Sequence, residues 1–176
     1  DFGYTTGPWT YQPSKNDTIV ARGQYTTVWR LTPKGEWKFL VDLGIDNTQP
    51  VAMGGVTRFE TVKTSGRTLF IPHVTPLASL ENNFWQHFKR NTSKAYKSCL
   101  SRQSIVNRHG YLPAITPAEQ KAVIDSTPAD IQFTLTGLRY SPEEDMGYVY
   151  GATLLNGKKE NYLHIWRHEK EGWVLA

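Results

Sequence analysis

Cysteine is almost missing from this chain: Cys99 is alone among 176 residues. No disulfide can form within the chain, so the fold must rest on its core, and cysteine usage fixes no compartment. Cys99 falls on an apolar helix stripe, where a thiol packs and makes a poor nucleophile. Long apolar runs are missing too. None approaches the roughly 18 to 20 residues of a membrane span, so no membrane partner is expected. Charge of one sign is scarce, with a net +4. The densest basic group is Lys89, Arg90, Lys94 and Lys97, followed by Arg102. A nucleic-acid face needs a basic stripe with interleaved aromatics, and this group reads as the solvated side of two short helices. There is no G-x-S-x-G, no phosphate-binding glycine loop and no His/Cys/Asp cluster at metal-ligand spacing. His164 and His168 share one strand face but stand about 13 Å apart along it, too far to hold one metal. No cofactor and no metal are therefore expected.

Aromatic residues are plentiful: six Trp, nine Tyr and seven Phe give ample volume for a core at this length. The order of some of them repeats. Asp145 to Trp173 reads DMGYVYGATLLNGKKENYLHIWRHEKEGW, and Asp1 to Trp37 opens DFGYTTGPW and closes QYTTVWRLTPKGEW. The shared frame is D-x-G-Y-x-x-G, then Y-x-x-x-W-R, then Gly and Trp at a turn. Tyr25, Trp29 and Arg30 recur as Tyr162, Trp166 and Arg167.

Phe2 to Gln12, Ile19 to Leu31 and Trp37 to Leu43 read as strands. Gly44 to Pro76 holds several Gly and Pro and an alternating patch near Val56 to Val62. It reads as a linker with a hairpin, because so long a structureless connection is uncommon within one compact domain. Leu77, Leu80, Phe84 and Phe88 share a helical face with Trp85 beside it, capped by Thr75 or Ser79. Ala95, Tyr96, Cys99 and Leu100 form a second, shorter stripe. Ser104 to His109 reads as a short strand. Thr116-Pro-Ala-Glu119 is a capping box with Pro at the first helical position, opening a third helix to about Asp125. Ile131 to Tyr140, Met146 to Leu155, Asn161 to His168 and Trp173 onward make a meander, with Asn156-Gly157 as a hairpin turn. Helices followed by an antiparallel sheet give an α+β class. The expected division is a partial first unit at 1–46, a linker at 47–76 and a nearly complete second unit at 77–176. About 65 to 70 residues of the first unit would precede Asp1, judging by domain size. The chain begins inside a motif without an initiator Met, which suggests a processed or truncated piece and leaves cytoplasmic and exported locations both open.

The order of elements resembles the nuclear transport factor 2-like superfamily, in its bacterial SnoaL-like, ketosteroid-isomerase-like branch. The residues that carry the resemblance are Asp145-Met-Gly-Tyr148 with Gly151, Tyr162-Leu-His-Ile-Trp166-Arg167 and Glu171-Gly-Trp173. Phe84-Trp85, Ala95-Tyr96 and Arg108-His-Gly-Tyr-Leu-Pro113 add to them. The resemblance implies a cone-shaped, cystatin-like fold, a bent sheet around about three helices with a pocket between. It also implies pairing through outer sheet faces, as a dimer or as a pseudo-dimer within one chain. The fold hosts isomerases, cyclases, dehydratases and non-catalytic proteins, so it does not name an activity.

His164 is the principal candidate. A His on a strand among aromatics can move a proton near neutral pH. Tyr148 or Tyr150 would donate to a developing oxyanion, and Trp85, Tyr96, Arg108, Tyr162 and Trp166 would line the ligand. The competing reading is a His hydrogen-bonded within the sheet or at an interface. Arg108 and Arg139 could anchor an acidic ligand or serve as ion-pair residues. His109 reads as a loop residue, His87 as solvated, and Asp145 and Asp1 as turn scaffold. Asp130 reads as a strand entry or a rim group, so no catalytic Asp can be matched. Three functions remain open: binding a small apolar or acidic molecule, proton-transfer catalysis by His164 and a Tyr, and protein interaction through paired sheets.

Overall fold

A computed structural model describes residues 2–47, 49, 77–170 and 172–176. The linker reading, its hairpin and the Thr75 cap fall outside the described residues.

Three strands come first: β1 (Phe2–Tyr11), β2 (Ala21–Leu31) and β3 (Trp37–Asp46). They form an antiparallel sheet in the order β1-β2-β3. Three helices follow, α1 (Leu77–Arg90), α2 (Thr92–Cys99) and α3 (Pro117–Asp125). A second antiparallel sheet then runs β4 (Gln132–Tyr140), β5 (Met146–Leu155), β6 (Lys158–Glu169) and β7 (Gly172–Leu175). The class is α+β, with a separate three-stranded sheet at the front. Among the described residues no helix is long and apolar enough to cross a membrane.

Local chemistry explains most element edges. The capping box at Thr116 forms as its sequence dictates: Thr116 accepts from the Glu119 amide, and Glu119 accepts from the Thr116 amide. Such a cap contributes about 1 kcal/mol. Asn91 caps α2 by accepting from the Lys94 amide at 2.8 Å. Ser79 caps nothing, because α1 already begins at Leu77, whose amide donates to the Tyr140 hydroxyl. Asn156 and Gly157 both take positive φ, 50° and 78°, as a two-residue hairpin requires. Ser104 to His109 is not a strand. Val106 makes only an isolated bridge to Ala114, with both amides bonded at 3.0 Å. The buried Gln120 side chain instead ties this segment to α3 through the Ser104 carbonyl at 2.8 Å.

The repeated frame has one physical meaning in both sheets: a glycine faces an aromatic residue across the strands. Gly3 pairs with Trp29 and Gly7 with Tyr25. Gly147 pairs with Trp166 and Gly151 with Tyr162. At Gly7 and Gly151 the absent side chain leaves room for the facing Tyr25 and Tyr162 rings, and at Gly147 it leaves room for Leu77 of α1.

The main core lies between α1 and one face of the second sheet. It joins Leu77, Phe84, Trp85 and Phe88 of α1 to Val149, Tyr162 and Trp166. The opposite face carries a second cluster of Met146, Tyr148 and Ile165, packed against Val28 of the first sheet. Phe2 stacks on Tyr148 with ring centroids 6.1 Å apart. Two polar links reinforce this contact: the Gly110 amide donates to the Asp46 carbonyl at 2.9 Å, and Asn107 donates to Thr6.

Candidate functional site

Register decides which residues can share a site. Val149 lies directly opposite His164, whereas Tyr148 faces Ile165 and Tyr150 faces Leu163. Directly paired residues project from one face and their neighbours from the other. His164 therefore lies on the helix-covered face with Tyr162 and Trp166. Tyr148 and Tyr150 lie on the other face and cannot serve an oxyanion beside His164. Tyr148 is buried against the first sheet, and Tyr150 is largely exposed, stacked on Tyr148 and lying over Gly137.

The partner of His164 comes from α1. Glu81 is fully buried, and its Oε1 stands 2.9 Å from His164 Nδ1. Its Oε2 accepts from Trp166 Nε1, also at 2.9 Å. An indole N–H can only donate, so Glu81 acts as an acceptor there. With the carboxylate accepting from both groups, the neutral His164 ring carries its proton on Nδ1 and offers Nε2 as an acceptor. The ring is held by its neighbours: Trp85 stacks at 5.0 Å, Phe84 meets it edge-on at 5.4 Å and Tyr162 lies at 5.2 Å. Trp85 is itself stacked on Phe133 at 3.4 Å.

Glu81 escaped the sequence reading, although a signal for it existed. Leu77, Glu81, Phe84, Trp85 and Phe88 are the buried residues of α1. Their spacing of four, three, one and three is a single helical stripe. A glutamate on that stripe must be buried, and a buried carboxylate demands donors.

His164 lines a cavity of about 470 Å³. Among the described residues β7 pairs with Trp166 to Glu169 of β6, and the stretch of β6 before them has no strand on that side. The cavity lies against that stretch, with residues of α2, α3 and the end of β3 in its lining. Its apolar lining includes Phe88, Leu100, Val123, Ile124, Ile131 and Phe133. Of the expected ligand-lining residues, Tyr96, Arg108 and Tyr162 border it. Trp85 and Trp166 do not: one is spent on stacking and the other on Glu81. Arg108 borders the cavity but is already engaged. Its Nη1 donates to the Val123 carbonyl in the last turn of α3 and to the Ser126 and Thr127 hydroxyls just after it, at 3.0–3.3 Å. Arg139, His87, His109 and Asp130 are exposed. Asp145 accepts from Ser141 at 2.7 Å in the β4–β5 turn, the scaffold role expected of it. Among the described residues no group of three His, Cys, Asp or Glu could hold a metal.

Burial, and next the Glu81 charge, push the Tyr162 phenol well above its ordinary range. Burial, with Cys99 and Glu81 after it, does the same to Tyr96. Both hydroxyls stay protonated as donors. The Cys99 thiol is pushed up to about 12, by burial first and by Glu81 second. It donates to the Ala95 carbonyl at 3.2 Å. With the folded value above the ordinary one, the thiol keeps its proton when the unfolded chain has lost it. Its contribution to stability is thus present below pH 9 and lost as pH rises toward 12. At pH 8 the folded thiolate fraction is about a thousandfold below that of a free cysteine. Iodoacetamide labelling at pH 8 is therefore expected to be very slow in the native protein and fast in urea. Equal rates in the two states would contradict this placement.

Comparison with known proteins gives one fold-level likeness. The chain is similar to an NTF2-like protein with a cystatin-like fold from Novosphingobium aromaticivorans, at 13% identity and a TM-score of 0.42, over 56% of this chain and 74% of that one. No protein-family model and no curated protein matches the chain.

Proposed function

We propose that this chain binds a small, largely apolar molecule in the cavity beneath α2 and α3, as a SnoaL-like domain would. The carrying observation is the cavity itself. About 470 Å³ lies open beside His164 rather than being filled by side chains, within the range that holds small organic ligands. Native mass spectrometry of the purified chain, followed by denaturation, tests this reading. The expected result is a bound apolar compound released on unfolding. An empty protein that also fails to bind 1-decanol up to its solubility limit would refute it.

The Glu81–His164 hydrogen bond favours a second reading, proton-transfer catalysis of the isomerase, cyclase or dehydratase kind. His164 Nε2 would take a proton from the bound molecule and return it at the same or another atom, with Tyr162 in place of Tyr148 or Tyr150 as the neighbouring donor. Recovering the ligand after incubation in D₂O tests this step. Deuterium should enter it with the wild-type chain and not with His164→Gln. Equal incorporation by both would leave binding alone. The first sheet, in this reading, is a partial second copy of the domain, packed outer face to outer face as a pseudo-dimer.

A further inference from the structure

Arg108 stands in the cavity lining with its charge unanswered. The acceptors it meets, the Val123 carbonyl and the Ser126 and Thr127 hydroxyls, are all neutral, and they share the protons of Nη1 alone. Tyr111 covers one face of the guanidinium, with Cζ 4.9 Å from the ring centre. Among the described residues no carboxylate lies within ion-pair reach of Arg108. Its Nε and Nη2 have no hydrogen-bond partner among those residues either, and neither is sealed away as Arg167 Nε is. These two nitrogens form one edge of the planar fork, an edge that takes a carboxylate through two parallel hydrogen bonds. Of the other lining side chains charged at neutral pH, Lys158 and Glu160 pair with each other, so Arg108 carries the uncompensated charge. A second donor comes from α2. Tyr96 lines the same cavity, and its hydroxyl has no partner among the described residues and is not sealed away. Burial keeps that phenol protonated, and the Arg108 charge opposes the upward push, so cation and phenol lie within electrostatic reach of one another.

From this arrangement we infer that the ligand is an amphipathic anion. Its carboxylate is seated on Arg108 and Tyr96, and its apolar body lies against lining residues such as Phe88, Ile124 and Phe133. The inference rests on the ligand-binding reading above and narrows it from a largely apolar molecule to an apolar acid. Arg108 selects by charge and by the geometry of its fork, and Tyr96 adds one neutral donor. An alcohol of the same length keeps the apolar burial but loses the charge-assisted pair. An amine of that length brings a like charge to Arg108.

Isothermal titration of the intact chain near neutral pH with decanoate, 1-decanol and decylammonium tests it. Decanoate is expected to bind about tenfold or more tightly than 1-decanol, with decylammonium the weakest. Arg108→Gln should bring decanoate and 1-decanol within about twofold of one another, while 1-decanol itself changes by less than about threefold. Tyr96→Phe keeps the ring that meets Phe84 and Phe88. It should weaken decanoate by about threefold to tenfold and leave 1-decanol unchanged. Because it leaves the Arg108 bonds to the end of α3 intact, it keeps the test valid if Arg108→Gln fails to fold. A decanoate preference unaltered in every variant that folds would assign the anion to exposed basic residues and overturn the site. Equal affinity of decanoate and 1-decanol for the wild type, or decylammonium as the tightest of the three, would overturn it too, and the binding of 1-decanol would still support the cavity reading. A wild type that binds neither decanoate nor 1-decanol would remove both.

Discussion

Replacing Glu81 by alanine is expected to lower the unfolding free energy by about 3–5 kcal/mol, whereas glutamine costs about 1 kcal/mol and reverses the polarity of His164. Alanine strands two buried donors, His164 Nδ1–H and Trp166 Nε1–H, and opens a void beneath Phe84 and Trp85. Glutamine fills the same volume and can satisfy both neighbours in only one way. Trp166 must donate, so it claims the amide oxygen. The amide nitrogen then faces His164 and donates to Nδ1. The imidazole must move its proton to Nε2, so the nitrogen left toward the cavity changes from acceptor to donor. Thermal or urea unfolding reads the first effect. The ¹⁵N chemical shifts of the His164 ring read the second, because they separate the two neutral tautomers. Deuterium exchange into a recovered ligand should vanish in Glu81→Gln although the fold persists. A glutamine variant with the wild-type tautomer would mean that Glu81 does not set the proton on His164. Glu81 is in this sense a positioning residue, acting on any ligand through the imidazole.

The fold was legible wherever one signal controlled one element. The box at Thr116, the Asn156-Gly157 turn and the stripe through Phe84 and Phe88 each placed an element within a few residues. Ser104 to His109 misled, because its alternation of residues finds only Ala114 to pair with and is held by Gln120 instead. The candidate site was half legible. His164 stood out because histidine is uncommon on an aromatic strand and because the equivalent position in the repeat is Thr27. Its oxyanion partners were misplaced, since a strand's two faces are distinguishable in sequence but not which of them the helices cover. Glu81 was missed because a glutamate in a helix is normally solvated, and only its place on the apolar stripe contradicts that habit. The first sheet meets the segment before α3 through Thr6 and Asn107, a hundred and one residues apart, whose meeting no local pattern encodes.

The glycine–aromatic frame supports the other large prediction. Gly151→Ala should destabilise the chain by about 3 kcal/mol or more, while Gly3→Ala should be neutral within about 0.5 kcal/mol. A β-carbon on Gly151 would lie 2.1 Å from the Thr134 carbonyl oxygen and 2.8 Å from the Tyr162 ring. The carbonyl belongs to the neighbouring strand β4, so relief requires a backbone shift rather than a rotamer change. That shift would also move Tyr162 and disturb the wall that carries His164. Gly7 holds the corresponding place in the first sheet, but there, among the described residues, β1 is an edge strand. The nearest atoms to its added β-carbon would be those of the Tyr25 side chain, at 3.0–3.3 Å, and an edge strand can yield. Gly7→Ala is expected to cost about 1 kcal/mol. Around Gly3 nothing lies within 4 Å, whereas Gly147, its counterpart, is met by Leu77 of α1 at 2.3 Å. The same sequence frame is thus tightly enclosed where helices and a fourth strand surround it, and loosely held where they do not. Thermal melts of the alanine variants would read the contrast. For a chain of this length, 3 kcal/mol corresponds to a fall of about 6–12 °C. Equal losses at Gly3 and Gly151 would show that both sheets enclose the frame alike, and the difference argued here would be wrong.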